Sequence, residues 1–178
     1  MTEEKKEVKT EEKIKITAIN KVKINSDKTA VINYVQSGDL SSSEVVFTGK
    51  EKVTNEFFNK FQENVEGFVG CMPILSKDIA NITMNAIKFD FGKDNGALKQ
   101  VLYSVKYAFN PANNAVVNIS TPMLPMYKDG MDEKTFFVSE KHEELLKEVI
   151  ELAKAYINGD TGTVQGKLNL EVTNDEEG

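Results

Sequence analysis

The feature that most constrains the fold is a nine-residue stretch with a large apolar side chain at every second position. These side chains are Val101, Tyr103, Val105, Tyr107 and Phe109. A period of two places all of them on one face of a β-strand. Such a face must be buried against another layer, so the segment predicts a strand in a sheet that is covered on one side.

The segments on either side extend this strand into an antiparallel meander. The Asn95-Gly96 dipeptide before it and the polar residues 110–114 after it are typical of tight turns. Residues 82–91 and 115–119 supply the two neighbouring strands. The apolar alternation of the first changes parity at Ala86, which predicts a β-bulge there.

A second group of strands is predicted near the beginning of the chain. Residues 14–24 alternate in polarity, with a break that predicts a bulge near Ala18 and Ile19. A polar turn leads to a return strand at residues 30–35, and residues 44–48 read as a third strand.

Two helices are predicted between and after these strands. Thr54 is a suitable N-cap, and a stripe of Phe57, Phe61, Val65 and Phe68 follows at helical spacing until Pro73. The second helix runs from a Ser139 cap to Gly159, with Leu, Val and Ile on one side. We interpret both apolar stripes as core.

The predicted class is therefore α+β, with an antiparallel sheet in βββ-α-βββ-α-(β) order and both helices packed on the sheet. The optional last strand or extended arm lies within residues 164–172. We expect a charged flexible tail at 1–12, one domain at 13–172 and an acidic flexible tail at 173–178.

Composition narrows the class of protein further. The net charge is −6, there is one cysteine, and arginine and tryptophan are absent. A single cysteine excludes an intramolecular disulfide, and the charged opening residues lack a secretory pattern, so we expect a cytoplasmic protein with no membrane segment. The charge and the lack of arginine disfavour strong nucleic-acid binding.

No catalytic, cofactor or metal motif is found, so the sequence predicts a protein that is not an enzyme and that uses no cofactor. His142 and Cys71 are single residues of their types. A thiol–imidazole pair is conceivable, but a boundary histidine and a small buried cysteine are the favoured interpretations. The loop carboxylates lack metal-binding spacing and are interpreted as turn residues: Asp90, Asp94, Asp129, Asp132 and Glu133.

Two sets of residues are candidates for binding. The segment 121–137 is long for a connection and holds Met123, Met126, Tyr127 and Met131, which are suited to a plastic binding surface or, alternatively, to the core. Aromatic strand residues could stack on single-stranded nucleic acid, with Lys88, Lys99 and Lys106 beside them, or could form the core. They are Tyr103, Tyr107, Phe89 and Phe91.

Three segments resemble small uncharacterised accessory proteins of phages and prophages of low-GC Gram-positive bacteria. They are the strand that begins at residues 13–16, the Phe-rich helix, and the Leu-rich helix that ends at 155–159. The resemblance implies an accessory protein that acts by binding a host or phage protein.

We therefore expect a non-enzymatic protein that engages a host protein or nucleic-acid-processing machinery in the bacterial cytoplasm, with inhibition of a defence system as one possibility. A single-stranded nucleic-acid-binding or recombination accessory protein is the first alternative. A small-ligand-binding domain is the second.

Overall fold

A computed structural model of the chain describes residues 15–37, 41–92, 96–110, 115–127 and 138–161. The strands are β1 (Ile16–Ile24), β2 (Ala30–Ser37), β3 (Ser42–Thr48), β4 (Ile82–Asp90), β5 (Gln100–Asn110), β6 (Ala115–Ser120) and β7 (Leu124–Pro125). The helices are α1 (Asn55–Glu63), α2 (Val65–Cys71) and α3 (Glu140–Ile157), with a 3-10 helix at Pro73–Asn81. The predicted α+β class is confirmed.

The described strands form one antiparallel sheet in the order β3-β2-β1-β4-β5-β6, with β7 paired to the beginning of β5. This sheet consists of two meanders, β1 to β3 and β4 to β6, in which strands adjacent in sequence are also adjacent in space. Short antiparallel connections need little chain, which is why each meander can be recognised locally.

Among the described strands, the two meanders join only at a short seam between β1 and β4. Their register consists of Lys21 opposite Lys88, Val22 opposite Ile87, and Lys23 opposite Ala86. By contrast, β1 and β2 pair along most of their length. Beyond the seam β1 and β4 are no longer paired, so other groups must satisfy their backbone there.

Both predicted bulges are present. The β1–β2 register shifts on either side of Ala18 and Ile19, and the β4–β5 register shifts between Met84 and Ala86. Each bulge changes which parity of residues faces the helices. As a result both Met84 and Ile87 are buried in the core although their positions differ in parity.

The Phe-rich helix differs from the prediction, because the structure breaks it in two at Asn64. The predicted cap is correct: Thr54 Oγ1 accepts from the Phe57 backbone N–H at 3.1 Å. Asn64 is fully buried, and its side-chain amide donates to the Lys60 carbonyl at 2.9 Å. A side chain that occupies a helix carbonyl in this way competes with the backbone and ends the helix.

The helices cover one side of the sheet and enclose a single hydrophobic core. Phe57 and Phe61 of α1, Phe68 of α2 and Leu146 of α3 are at most 1% exposed, which confirms that both apolar stripes are core. The 3-10 helix was not predicted. Residues 164–172, both tails and Met131 lie outside the described residues.

A glutamine side chain takes the place of a strand where β1 leaves β4. Gln62 of α1 donates to the Met84 carbonyl at 3.1 Å, and its Oε1 accepts from the Met84 N–H at 2.9 Å. The primary amide thereby satisfies both backbone groups of a β4 residue whose side chain is 1% exposed. This pairing ties α1 to the second meander.

We predict that Gln62→Leu destabilises the fold by about 1–3 kcal/mol, because it leaves two backbone groups of Met84 without their partners. Urea unfolding followed by circular dichroism measures the effect. Asn59→Ala, at an exposed position of the same helix, is the matched control. Equal stability of the two variants would show that the Gln62–Met84 pairing contributes nothing.

Candidate functional site

The side of the sheet opposite the helices carries a cluster of lysines. Because directly opposed residues share a face, the register places Lys21, Lys23, Lys88 and Lys106 together on this side. We call this surface the lysine face. Its other members are Val31, Asn33, Val46, Thr48, Thr83, Ala86, Leu102, Ser104, Asn118 and Ser120. None of the described helices packs on it.

Lys21 and Lys88 are directly opposite each other at the seam, and both side chains are exposed. No carboxylate of a described residue forms an ion pair with any of the four lysines. Like charges at directly opposed positions of a sheet destabilise it. The arrangement therefore works against the fold and leaves positive charge available to another molecule.

A groove of about 550 Å³ lies at one end of the lysine face. Its lining includes Glu44 of β3, Lys88 at the centre of the sheet and Met123 from the connection between β6 and β7. Since β3 and that connection lie at opposite edges of the sheet, their presence in one groove shows that the face is concave here. Asp90 also lines the groove, so its charge is mixed.

The lysines of the helical layer differ from those of the lysine face, because they form ion pairs with neighbouring carboxylates. Lys60 contacts Glu148 at 3.0 Å and Lys147 contacts Glu143 at 2.8 Å. Lys154 and Glu151 form a further pair at 2.7 Å. The helical lysines are thus held by neighbouring carboxylates, whereas the four lysines of the lysine face form no ion pair with a described residue.

The predicted methionine segment divides between the groove and the core. Met123 lines the groove, while Met126 is 3% exposed and packs in the core. Tyr127 is 36% exposed at the end of the described stretch. Met123 therefore lies where the prediction of a binding surface places it, whereas Met126 fits the alternative interpretation as core.

Three of the four predicted strand aromatics, Tyr103, Tyr107 and Phe89, are on the helix side of the sheet. Tyr103 and Phe89 are buried, and Tyr107 is half-buried with its hydroxyl donating to Asp78 at 3.2 Å. This agrees with the interpretation of these residues as core. Phe91, just beyond β4, borders the groove. Bases could not stack on Tyr103 or Phe89 in this arrangement.

Cys71 and His142, distant in sequence, line one small cavity between α2 and the start of α3. Burial raises the pKa of the Cys71 thiol and lowers the pKa of the His142 imidazole. Both shifts favour the neutral forms, whereas a reactive thiolate needs a lowered thiol pKa. The pair is therefore brought together without being activated.

Among the described residues, no group of three or more His, Cys, Asp or Glu side chains could hold a metal ion. Asp94, Asp129, Asp132 and Glu133 lie outside the described residues. None of the described helices is both long and apolar enough to cross a bilayer.

Comparison with known protein families, curated proteins and solved structures finds no match. The site must therefore be interpreted from its own geometry.

The lysine face as a unit could not be predicted from local patterns. Lys88 and Lys106 lie beside the strand aromatics in the sequence, but their proximity to Lys21 and Lys23 depends on the β1–β4 pairing, which links distant segments. The available signal was the Lys-Val-Lys alternation at residues 21–23, which places two lysines on the face opposite a buried valine.

We predict that Lys21→Glu stabilises the fold by about 0.5–1 kcal/mol, because it replaces a like-charged pair by an oppositely charged one. Adding Lys88→Glu should remove the gain, since two carboxylates would then oppose each other. Thermal unfolding of the two single variants and the double variant at low salt tests this. A destabilised Lys21→Glu would contradict the unpaired arrangement of the lysines.

The environment of His142 also predicts a pH dependence. Burial lowers its pKa in the folded state below the ordinary value of 6.5, with Lys141 lowering it further and Glu66 raising it. As the pH falls below 6.5, the imidazole of the unfolded chain binds a proton before that of the folded chain does. The free energy of unfolding therefore decreases progressively until the pH reaches the pKa of the folded state. His142→Gln should lose less stability than the parent between about pH 7.5 and about pH 5.5, as measured by urea unfolding. Equal losses would contradict a half-buried imidazole held in its neutral form.

Proposed function

We propose that this protein is a non-enzymatic binding protein whose lysine face docks a segment of a partner protein that carries acidic and apolar side chains. The observation that carries the proposal is a set of four lysines without ion pairs among the described residues, on a sheet face that none of the described helices covers. In a chain of net charge −6, this is a local reversal of sign. Such patches steer complementary partners.

Apolar side chains between the lysines favour a protein partner. Val46 is 63% exposed, and Leu102 lies beside Lys88 in the β4–β5 register. A mixture of apolar groups and unpaired charge matches an amphipathic acidic segment. The burial of the apolar groups would add affinity, while the charges would set orientation and partner choice.

Single-stranded nucleic acid is the second candidate, since lysines also attract phosphate. Three features disfavour it. The strand aromatics Tyr103 and Phe89 face the core, the groove holds the carboxylates of Glu44 and Asp90, and the chain contains no arginine. Tyr103 and Phe89 therefore offer no stacking platform, which leaves Phe91 at the groove as the one predicted stacking residue there, and the bidentate phosphate contacts of arginine are missing.

The cellular role that we propose follows from the sequence resemblance. An accessory protein of a phage or prophage would meet a host or phage protein in the bacterial cytoplasm. Inhibition of a defence system is one such role. The acidity of the chain supports this role less than its lysine face does, because several helical carboxylates are already paired.

A pull-down with matched charge variants tests the proposal. The bait is the tagged chain in a lysate of a low-GC Gram-positive bacterium, with and without nuclease. The face variant is Lys21→Glu with Lys106→Glu. The control is Lys50→Glu with Lys77→Glu, which makes the same change in net charge at exposed lysines off the sheet.

We predict a stoichiometric protein partner that survives nuclease, is retained by the control and is lost by the face variant. Equal recovery by the two variants would contradict the lysine face as the binding surface. Recovery that disappears after nuclease would replace the protein partner by nucleic acid.

A further inference from the structure

The small cavity between α2 and α3 is distinct from the lysine face and contains unused hydrogen-bonding groups. It has a volume of about 160 Å³ and is lined by Gly67, Gly70, Cys71, Tyr103, Val138, Ser139 and His142. Tyr103 is 0% exposed. Its hydroxyl and the His142 Nε2 are both buried and find no partner among the described residues.

Two unpartnered polar atoms in one cavity are costly to leave dry. A buried donor or acceptor without a partner costs about 1–3 kcal/mol. A phenylalanine at position 103 would avoid this cost. The Tyr103 hydroxyl is therefore available to bind another molecule. The hydroxyl can donate or accept, and so can a neutral imidazole, depending on its tautomer.

Gly67 makes the space. A Cβ at this position would come within 2.9 Å of the Tyr103 hydroxyl oxygen and 3.3 Å of the His142 Cδ2. Any larger residue would therefore crowd the two polar groups. Gly67 is itself buried within α2. Because glycine is a poor helix former, it keeps the cavity open at a cost to the stability of the helix.

Ser139 holds the imidazole in place. Its hydroxyl oxygen lies 2.8 Å from the His142 Nδ1, and it does not cap α3 with its side chain. The hydrogen bond occupies one ring nitrogen and leaves Nε2 for the cavity. This contact orients the ring, and because the Ser139 hydroxyl can either donate or accept, it is compatible with both neutral tautomers of the imidazole.

The chemistry of the described walls disfavours a charged occupant. None of the described residues that line the cavity is a Lys, Asp or Glu. Burial raises the pKa of the Cys71 thiol, which favours its neutral form, and its Sγ donates to the Gly67 carbonyl at 3.4 Å, so Cys71 contributes an uncharged surface to the cavity. An ion would lose its hydration without gaining a counter-charge.

We propose that this cavity binds a small uncharged molecule with a hydroxyl or primary amide group on a compact carbon skeleton. The polar group bridges the Tyr103 hydroxyl and the His142 Nε2, and the carbon skeleton fills the remaining space beside Val138 and Cys71. A cavity of about 150 Å³ holds a molecule the size of benzene, which sets the size class. This site is independent of the lysine face and of its partner.

The single histidine makes the test direct, because its imidazole nitrogens give unambiguous NMR signals. The probes are phenol and acetamide, with benzene as an apolar comparator of the same size class as phenol. Titrations follow the His142 ring nitrogens and the melting temperature. Tyr103→Phe removes only the unpartnered hydroxyl and should fold normally, and Gly67→Ala fills the cavity.

We expect phenol or acetamide to shift the His142 signals and to bind about two- to tenfold more weakly to Tyr103→Phe, the range that corresponds to one lost hydrogen bond. Gly67→Ala should abolish the shifts. The proposal is overturned if neither polar probe shifts His142 up to its solubility. It is also overturned if benzene binds as tightly as phenol, or if Tyr103→Phe binds the probes unchanged.

Discussion

The pairing of Val22 with Ile87 is the contact on which the rest of the structure depends. It lies in the middle of the three-residue seam that joins the two meanders, and both side chains are 0% exposed. Burial of such a side chain contributes about 1.5–3 kcal/mol. The repulsion between Lys21 and Lys88 on the opposite side of the same seam costs about 0.2–1 kcal/mol. The hydrophobic side therefore dominates, and the fold can tolerate the lysines.

Because burial outweighs the lysine repulsion, one side of the sheet can form the core while the other side carries charge. The helices cover one side, and α1 closes the gap beyond the seam through the Gln62 amide. None of the described helices covers the other side, which is concave at one end and carries at its centre lysines that form no ion pair with a described residue. Features that destabilise a fold are expected at sites where function requires them. The lysine face fits that expectation better than any helical surface, where the lysines are mostly ion-paired.

The parts of the fold that depend on neighbouring residues could be predicted from the sequence, and the parts that depend on distant ones could not. Alternation identified both meanders, and the parity breaks at Ala18–Ile19 and Ala86 located the bulges. The β1–β4 seam has no local signal, so the lysine face was missed. Likewise, Met123 and Met126 look alike in sequence, but β7 pairing directs one to the groove and the other to the core. The break at Asn64 depends on a side chain that bonds back to its own helix.

Binding by the lysine face is tested most directly by residue-resolved NMR of the lysine side chains, labelled by reductive ¹³C-methylation, during titration with a peptide in which glutamate and leucine alternate. If the lysine face is the binding surface, Lys21, Lys23, Lys88 and Lys106 shift together at low salt, while Lys60, Lys147 and Lys154 on the helices do not. Shifts of the helical lysines with the lysine face unchanged would show that binding takes place elsewhere.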